Sequence, residues 1–195
     1  NSLFEGMEKK KKKICEAAID IFQEQNFTKT TVSEIASAAH VGKGTFYLYF
    51  ESKISLLDFL LEIGIKKLID YVKKCVEDIK NPKDKLEELI NSQLEFHNYY
   101  KNYFYFFLRE MWAHREGLRE KINVIKEEYI SIIEEIIEEG KKQGLFKDVN
   151  SDTISSALFG MLTMPSFHWA VFYRSYPKKE INKDLSEVFF NGLIK

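Results

Sequence analysis

Apolar residues recur at helical spacing along most of the chain. From Glu8 to Gln25 they fall at Ile14, Ala17, Ala18, Ile21 and Phe22, one stripe opposite a lysine-rich start, and predict a first helix. Next, Thr31-Val32-Ser33-Glu34 sets a hydroxyl at a potential N-cap and a carboxylate three residues on. That reciprocal arrangement satisfies two orphan amides, so a short second helix starts at Thr31. It carries Val32, Ile35, Ala36 and Ala39 on one face and runs into the tight connection from His40 to Gly44, followed by Thr45-Phe46-Tyr47-Leu48-Tyr49-Phe50. Two short helices joined by such a turn read as helix-turn-helix.

Ser52 is placed to cap a fourth helix running through Leu56, Leu57, Leu60, Ile63, Leu68 and Ile69 towards Lys80. Pro82 suits the first turn of the next helix, which covers about Asp84 to Tyr100. Further helices are predicted near Tyr103 to His114, from Leu118 to Gln143 with Gly144 as the stop, from Ser151 to Tyr173 with a break or kink at Pro165, and from Ile181 to Leu193. No alternating strand pattern, linker or repeat is present, so the fold class is all-α with about nine helices. Residues 1 to 6 precede Met7 and read as upstream sequence outside the fold.

Composition narrows the function. Glycine and proline together make 12 of 195 residues, which favours long helices, and a net charge of −1 gives the whole chain no pull on a polyanion. Residues 1 to 53 hold eight lysines against seven acids, so any nucleic acid has to be met by a few placed contacts. The lysines from Lys9 to Lys13 are either such contacts or a solvated face. Cys15 and Cys75 form no CxxC pair, and no stretch reaches the ~20 apolar residues that span a bilayer; a reducing cytoplasm with no membrane partner is the expectation.

With Phe46 at 0° and Phe50 at 40° on a helical wheel, Gly44, Thr45 and Leu48 point away from the buried face while Tyr47 and Tyr49 flank it. At 1.5 Å per residue the element from Lys43 to Tyr49 is about 10 Å long, and a major groove is about 12 Å wide. One reading has Lys43, Tyr47, Tyr49 and Lys53 on the phosphate backbone and Thr45 and Leu48 at base edges. The other is a plain helical hairpin with half-buried tyrosines.

The stretch TTVSEIASAAHVGKGTFYLYFESKISLL, Thr30 to Leu57, resembles the DNA-binding segment of the TetR (tetracycline repressor) family of bacterial regulators. The resemblance lies in a capped helix, a turn, a Lys-Gly-hydroxyl-aromatic helix and a Phe-x-Ser-Lys run at fixed spacing. It implies that Thr31, Lys43, Gly44, Thr45, Tyr47, Leu48, Tyr49 and Lys53 touch operator DNA, that residues 7–53 form the DNA-binding domain and 54–195 an effector-binding and dimerisation domain, and that the protein is a homodimer. Two departures stand out: His40 occupies a turn position where the family has glycine, a place that often needs positive φ, and Gly42 replaces a polar residue.

In the body, nine of the 17 residues from Phe96 to Trp112 are aromatic, against 14% overall. This density suits either a pocket for a small hydrophobic or aromatic effector or simple helix packing. The candidate wall is Phe96, Tyr100, Tyr103, Phe107 and Met111, with His97, Arg109 and His114 as polar handles. Leu158, Leu162, Val188 and Phe189, on the last two helices, are candidate dimer contacts, since the resembled family pairs these helices with their copies. No catalytic, cofactor or metal constellation is found: Glu110 and His114 lack the second histidine of HExxH, and Gly42-Lys43-Gly44 is no phosphate loop. The expectation is a ligand-released repressor and not an enzyme. A same-fold DNA-binding protein without effector, or a helical carrier whose head no longer binds DNA, are the alternatives.

Overall fold

A computed structural model describes residues 3–25, 27–113, 120, 123–172 and 177–194. Among them lie nine α-helices: α1 (Lys9–Glu24), α2 (Val32–Ala38), α3 (Lys43–Tyr49), α4 (Lys53–Val76), α5 (Pro82–Tyr99), α6 (Lys101–Ala113), α7 (Ser131–Lys142), α8 (Ser151–Phe172) and α9 (Lys178–Leu193). A π-helical segment, Ile125–Ile130, runs directly into α7. The only strand-like pairing among the described residues is an isolated bridge between Phe146 and Ile194.

The helix ends follow the capping chemistry. Thr31 and Glu34 close a full capping box on α2. Ser52 and Ser55 make a reciprocal pair at the start of α4, the backbone N–H of each donating to the other's hydroxyl at 3.0 and 3.1 Å. Asn81 accepts from the amides of Lys83 and Asp84 at 2.9 and 3.3 Å, with Pro82 opening α5. After α7, Gly144 takes φ +73°, its N–H donating to Lys141 while that of Leu145 donates to Gly140, a Schellman stop.

Three expectations are corrected. The fourth helix ends at Val76, not near Lys80. Of the break or kink expected at Pro165, the break is overturned, because α8 continues as one helix past it; a proline removes one backbone donor, and the remaining bonds of a 22-residue helix span the gap. Residues 3 and 4 belong to the fold, because the side chains of Leu3 and Phe4 are buried.

The chain packs as two compact units, Asn1–Lys67 with Asn102–His114, and Leu68–Lys101 with Arg115–Lys195. The packing units therefore do not follow a boundary at residue 53, because α6 joins the N-terminal helices. In that first unit Phe106 stacks on Phe22 with ring centroids 5.4 Å apart, the Tyr103 hydroxyl donates to the Leu60 carbonyl, and Arg109 donates to the Phe22 carbonyl near the end of α1. Gly64 makes this possible: a Cβ there would sit 1.9 Å from the Tyr103 oxygen. In the second unit α5 packs against α7, α8 and α9, burying Leu86, Leu89, Ile90 and Leu94 against Ile133, Ile136 and Ile137 of α7 and Leu158 and Leu162 of α8.

Helix propensity alone says that Gly64→Ala stabilises α4 by about 1 kcal/mol. The Tyr103 ring reverses the sign: Gly64→Ala is expected to lower stability by about 1–3 kcal/mol, the usual cost of overpacking, as measured by urea unfolding.

Candidate functional site

The seven-residue α3 is held by its inner face. Phe46 and Phe50 are buried, and α2 and α1 pack against this element. Its outer face is open: Leu48 is 81% exposed and Tyr47 49%, with Lys43 and Gly44 also exposed and Thr45 half-buried. The turn before it has His40 at φ +54°, the only non-glycine residue with positive φ among the described residues. Histidine adopts this left-handed conformation at a cost glycine avoids. Gly42 is the N-cap of α3 and supplies no side-chain bond, so the missing polar residue does leave that cap empty.

Three of the sequence-assigned contacts are already engaged. Thr31 holds the capping box, its hydroxyl donating to Glu34 at 2.8 Å, and these bonds keep the Glu34 carboxyl below its ordinary range. The hydroxyl of Tyr49 donates to Glu8 at the head of α1, and that bond raises the pKa of the phenol. Lys53, expected on the phosphate backbone, is engaged within the chain. Its ammonium donates to the carbonyls of Phe27 and Thr30, both at 2.6 Å, and lies 4.3 Å from the Phe27 ring centroid. Burial lowers its pKa, yet three carbonyls of the α1–α2 connection hold the cation in place. Lys53 thus braces the loop that leads into α2.

The effector candidates divide between the two units. Tyr103 and Arg109 belong to the first, where their polar ends meet Leu60, Phe22 and Glu110, fastening α6 to α4 and α1. Phe96, His97 and Tyr100 belong to the second. Phe96 is buried between Tyr71 and Tyr100, at 6.0 and 4.7 Å. The side chains of Phe107 and Met111, and the whole of His114, lie outside the described residues.

The interior of the second unit holds a polar ladder that periodicity alone does not flag. Tyr129, from the π-helical segment, donates to Gln93 Oε1 at 2.5 Å, and Gln93 Nε2 donates to Thr163 at 3.4 Å. One turn along α5, His97 Nδ1 lies 3.0 Å from the Ser166 hydroxyl. That hydroxyl donates to the Leu162 carbonyl at 2.6 Å, so it accepts from His97. All five side chains are buried. The available signal was that Gln93 and His97 occupy the stripe of Leu86, Leu89 and Ile90, where a core position is otherwise apolar. Ser155, on α8, has a buried hydroxyl with no partner among the described residues.

Of the candidate dimer contacts, Leu158, Leu162 and Phe189 are buried within the chain itself, and only Val188, 66% exposed, is open. The open apolar face of α8 is instead Ala157, Met164 and Phe172, with Met161 and His168 on the same stripe. No group of three His, Cys, Asp or Glu side chains among the described residues is placed to hold a metal, and no described helix is long and apolar enough to cross a membrane.

A short exposed second helix in a helix-turn-helix, joined to a helical body, defines a DNA-binding regulator. Residues 14–59 match the bacterial regulatory proteins of the tetR family, and residues 80–193 match the tetracyclin repressor-like C-terminal domain; the chain belongs to the TetR family of transcription regulators. The fatty acid metabolism regulator protein of Bacillus subtilis is 27% identical over 92% of this chain and 93% of its own. QacR of Staphylococcus aureus is 28% identical over 95% and 98%. The same fold is found in FadR of Bacillus halodurans, with a TM-score of 0.85 at 24% identity over 96% of this chain and 98% of that one. FadR of Bacillus subtilis in complex with stearoyl-CoA gives 0.80 at 24% identity, over 93% and 98%. These relatives are named as regulators.

Burial lowers the pKa of His97 from 6.5 to about 3, so its ring stays neutral in the folded protein. Between those pH values the unfolded chain takes up a proton that the folded one refuses, and stability falls with pH by up to about 1.4 kcal/mol per unit. His97→Gln keeps a polar side chain and removes the titration. Urea midpoints measured from pH 7 to pH 4 should decline less steeply in that variant than in the parent.

Proposed function

We propose that the protein is a homodimeric repressor that reads a palindromic operator with α3 and leaves it when an acyl-CoA thioester binds the helical body. The observation that carries the DNA half is the exposure of Leu48 and Tyr47 on a helix whose opposite face is sealed by Phe46 and Phe50. An apolar side chain left 81% exposed contributes nothing to the core, and contact with a thymine methyl at a base edge is work suited to it. Lys43, Gly44, Thr45 and Tyr47 complete the face, with Thr31 at its margin. Lys53 supports the loop behind it, and Tyr49 is treated below.

Two copies are needed because one short helix makes few contacts; a two-fold related pair reads half-sites about 34–36 Å apart. The second copy is proposed to cover the α8 stripe from Ala157 to Phe172, together with Val188 of α9. The α8 sequence is apolar on nearly every side, which suits a helix buried on both faces. Activity of this kind belongs in the cytoplasm, with the DNA.

The ligand class rests on the relatives. A fatty acid metabolism regulator aligns over nearly the whole chain, and a protein of the same fold is known with stearoyl-CoA. The apolar body suits a long acyl chain. Helix α4 contributes residues to both units and is the proposed route by which the ligand alters the head.

Two measurements test this. In fluorescence anisotropy with an operator selected from random duplexes, Lys43→Ala should weaken all sequences alike and flatten the salt slope by about 1, while Leu48→Ala should relax preference at one base position. The opposite partition would show that α3 lies in another orientation. Stearoyl-CoA, but not free CoA, should weaken operator binding about 5- to 150-fold, and operator should weaken stearoyl-CoA binding by the same factor. Unchanged operator affinity at saturating stearoyl-CoA removes the thioester from the proposal.

A further inference from the structure

The contact between Tyr49 and Glu8 joins the last residue of α3 to the residue that precedes α1. Glu8 stands at the N-cap position but makes no side-chain capping bond to its own helix; its carboxylate reaches Tyr49 instead. Glu8 is exposed, on a chain face where Lys9 and Lys10 follow it immediately and are exposed too. The next lysine, Lys11, turns inward over the Phe50 and Phe59 rings at 5.4 and 3.9 Å. The N-terminal end of α1 and the C-terminal end of α3 thus form one surface, with a single carboxylate set against the phenol of the proposed DNA-reading helix.

A phenol carries one hydrogen to donate. Given to a carboxylate, it is in a charge-assisted bond of the same kind that a phosphate oxygen would offer, and the two anions cannot share it. We propose that Glu8 acts as an internal phosphate mimic: it occupies the Tyr49 hydroxyl in the free protein and has to be displaced by the DNA backbone, so that it sets the affinity of the regulator for DNA. This rests on the reading that α3 faces the duplex. It assigns to Glu8, which lies outside the helix-turn-helix, a part in binding that is opposite in sign to that of the lysines beside it. Because phosphate contacts are independent of sequence, the penalty falls on all duplexes, and the operator overcomes it through its base contacts.

The test is a double-mutant cycle on the full chain, read by anisotropy with the selected operator and a scrambled duplex. Glu8→Ala should bind both duplexes about 3- to 10-fold more tightly, the size of an exposed charge-assisted contact, and with a steeper salt slope. In a Tyr49→Phe background the gain from Glu8→Ala should shrink to less than half. Thermal midpoints should stay close to the parent's, because Glu8 is exposed and Tyr49→Phe keeps the half-buried ring. The proposal is overturned if Glu8→Ala leaves affinity unchanged or lowers it, which would make the carboxylate an orienting group for the tyrosine. An equal gain with and without the phenol hydroxyl would also overturn it, leaving bulk charge alone. Lys43→Ala separates this from failure of the wider reading: if that variant also binds both duplexes like the parent, α3 is not the DNA-reading helix at all.

Discussion

The burial of Phe46 and Phe50 is the interaction on which the recognition surface depends. A seven-residue helix has no stability of its own, since isolated helices shorter than about 12–15 residues are marginal in water. Its existence is therefore a tertiary event: two rings, 5.8 Å apart, enter the core of the first unit and hold the backbone that displays Thr45, Tyr47 and Leu48 on the far side. Lys53 braces the loop before α2, and the capping box of Thr31 and Glu34 fixes where that helix begins. His40 at positive φ sets the angle of the turn, and the packing of both helices keeps it there.

The first unit extends this anchoring to α6. A ring stack with Phe22, a phenol seated where Gly64 has no side chain, and a guanidinium on a carbonyl near the end of α1 are three different interactions serving one purpose. Arginine at a helix C-terminal carbonyl also meets the negative end of the helix dipole. Residues that looked like ligand handles by type are thereby consumed in joining helices. The aromatic density of residues 96 to 112 was a true signal, and Tyr103 and Phe106 show that much of it is explained by close helix contact.

The second unit shows the converse. Its interior is not wholly apolar, and five of the polar side chains it contains are matched across three elements: α5, α8 and the π-helical segment. Buried polar side chains satisfied in this way specify register between helices, since a slip in any one leaves donors and acceptors stranded. A neutral His97 belongs to that scheme, because a charged ring at this buried position would have to be desolvated.

The all-α class, the helix starts at Thr31, Ser52 and Pro82, the stop at Gly144 and the outward face of α3 were legible in the sequence alone. Each is decided by residues within a few positions of one another: a cap, a proline, a left-handed glycine, a wheel of apolar side chains. What the sequence could not decide is where long side chains end. The ammonium of Lys53 finds carbonyls 23 and 26 residues earlier, Arg109 a carbonyl 87 residues earlier, and Leu158, Leu162 and Phe189 turn into their own core while Met164 and Phe172 are left outside. Partners that distant are set by how helices pack, and helical periodicity names the apolar stripe of a helix without saying whether its neighbour is the same chain or another.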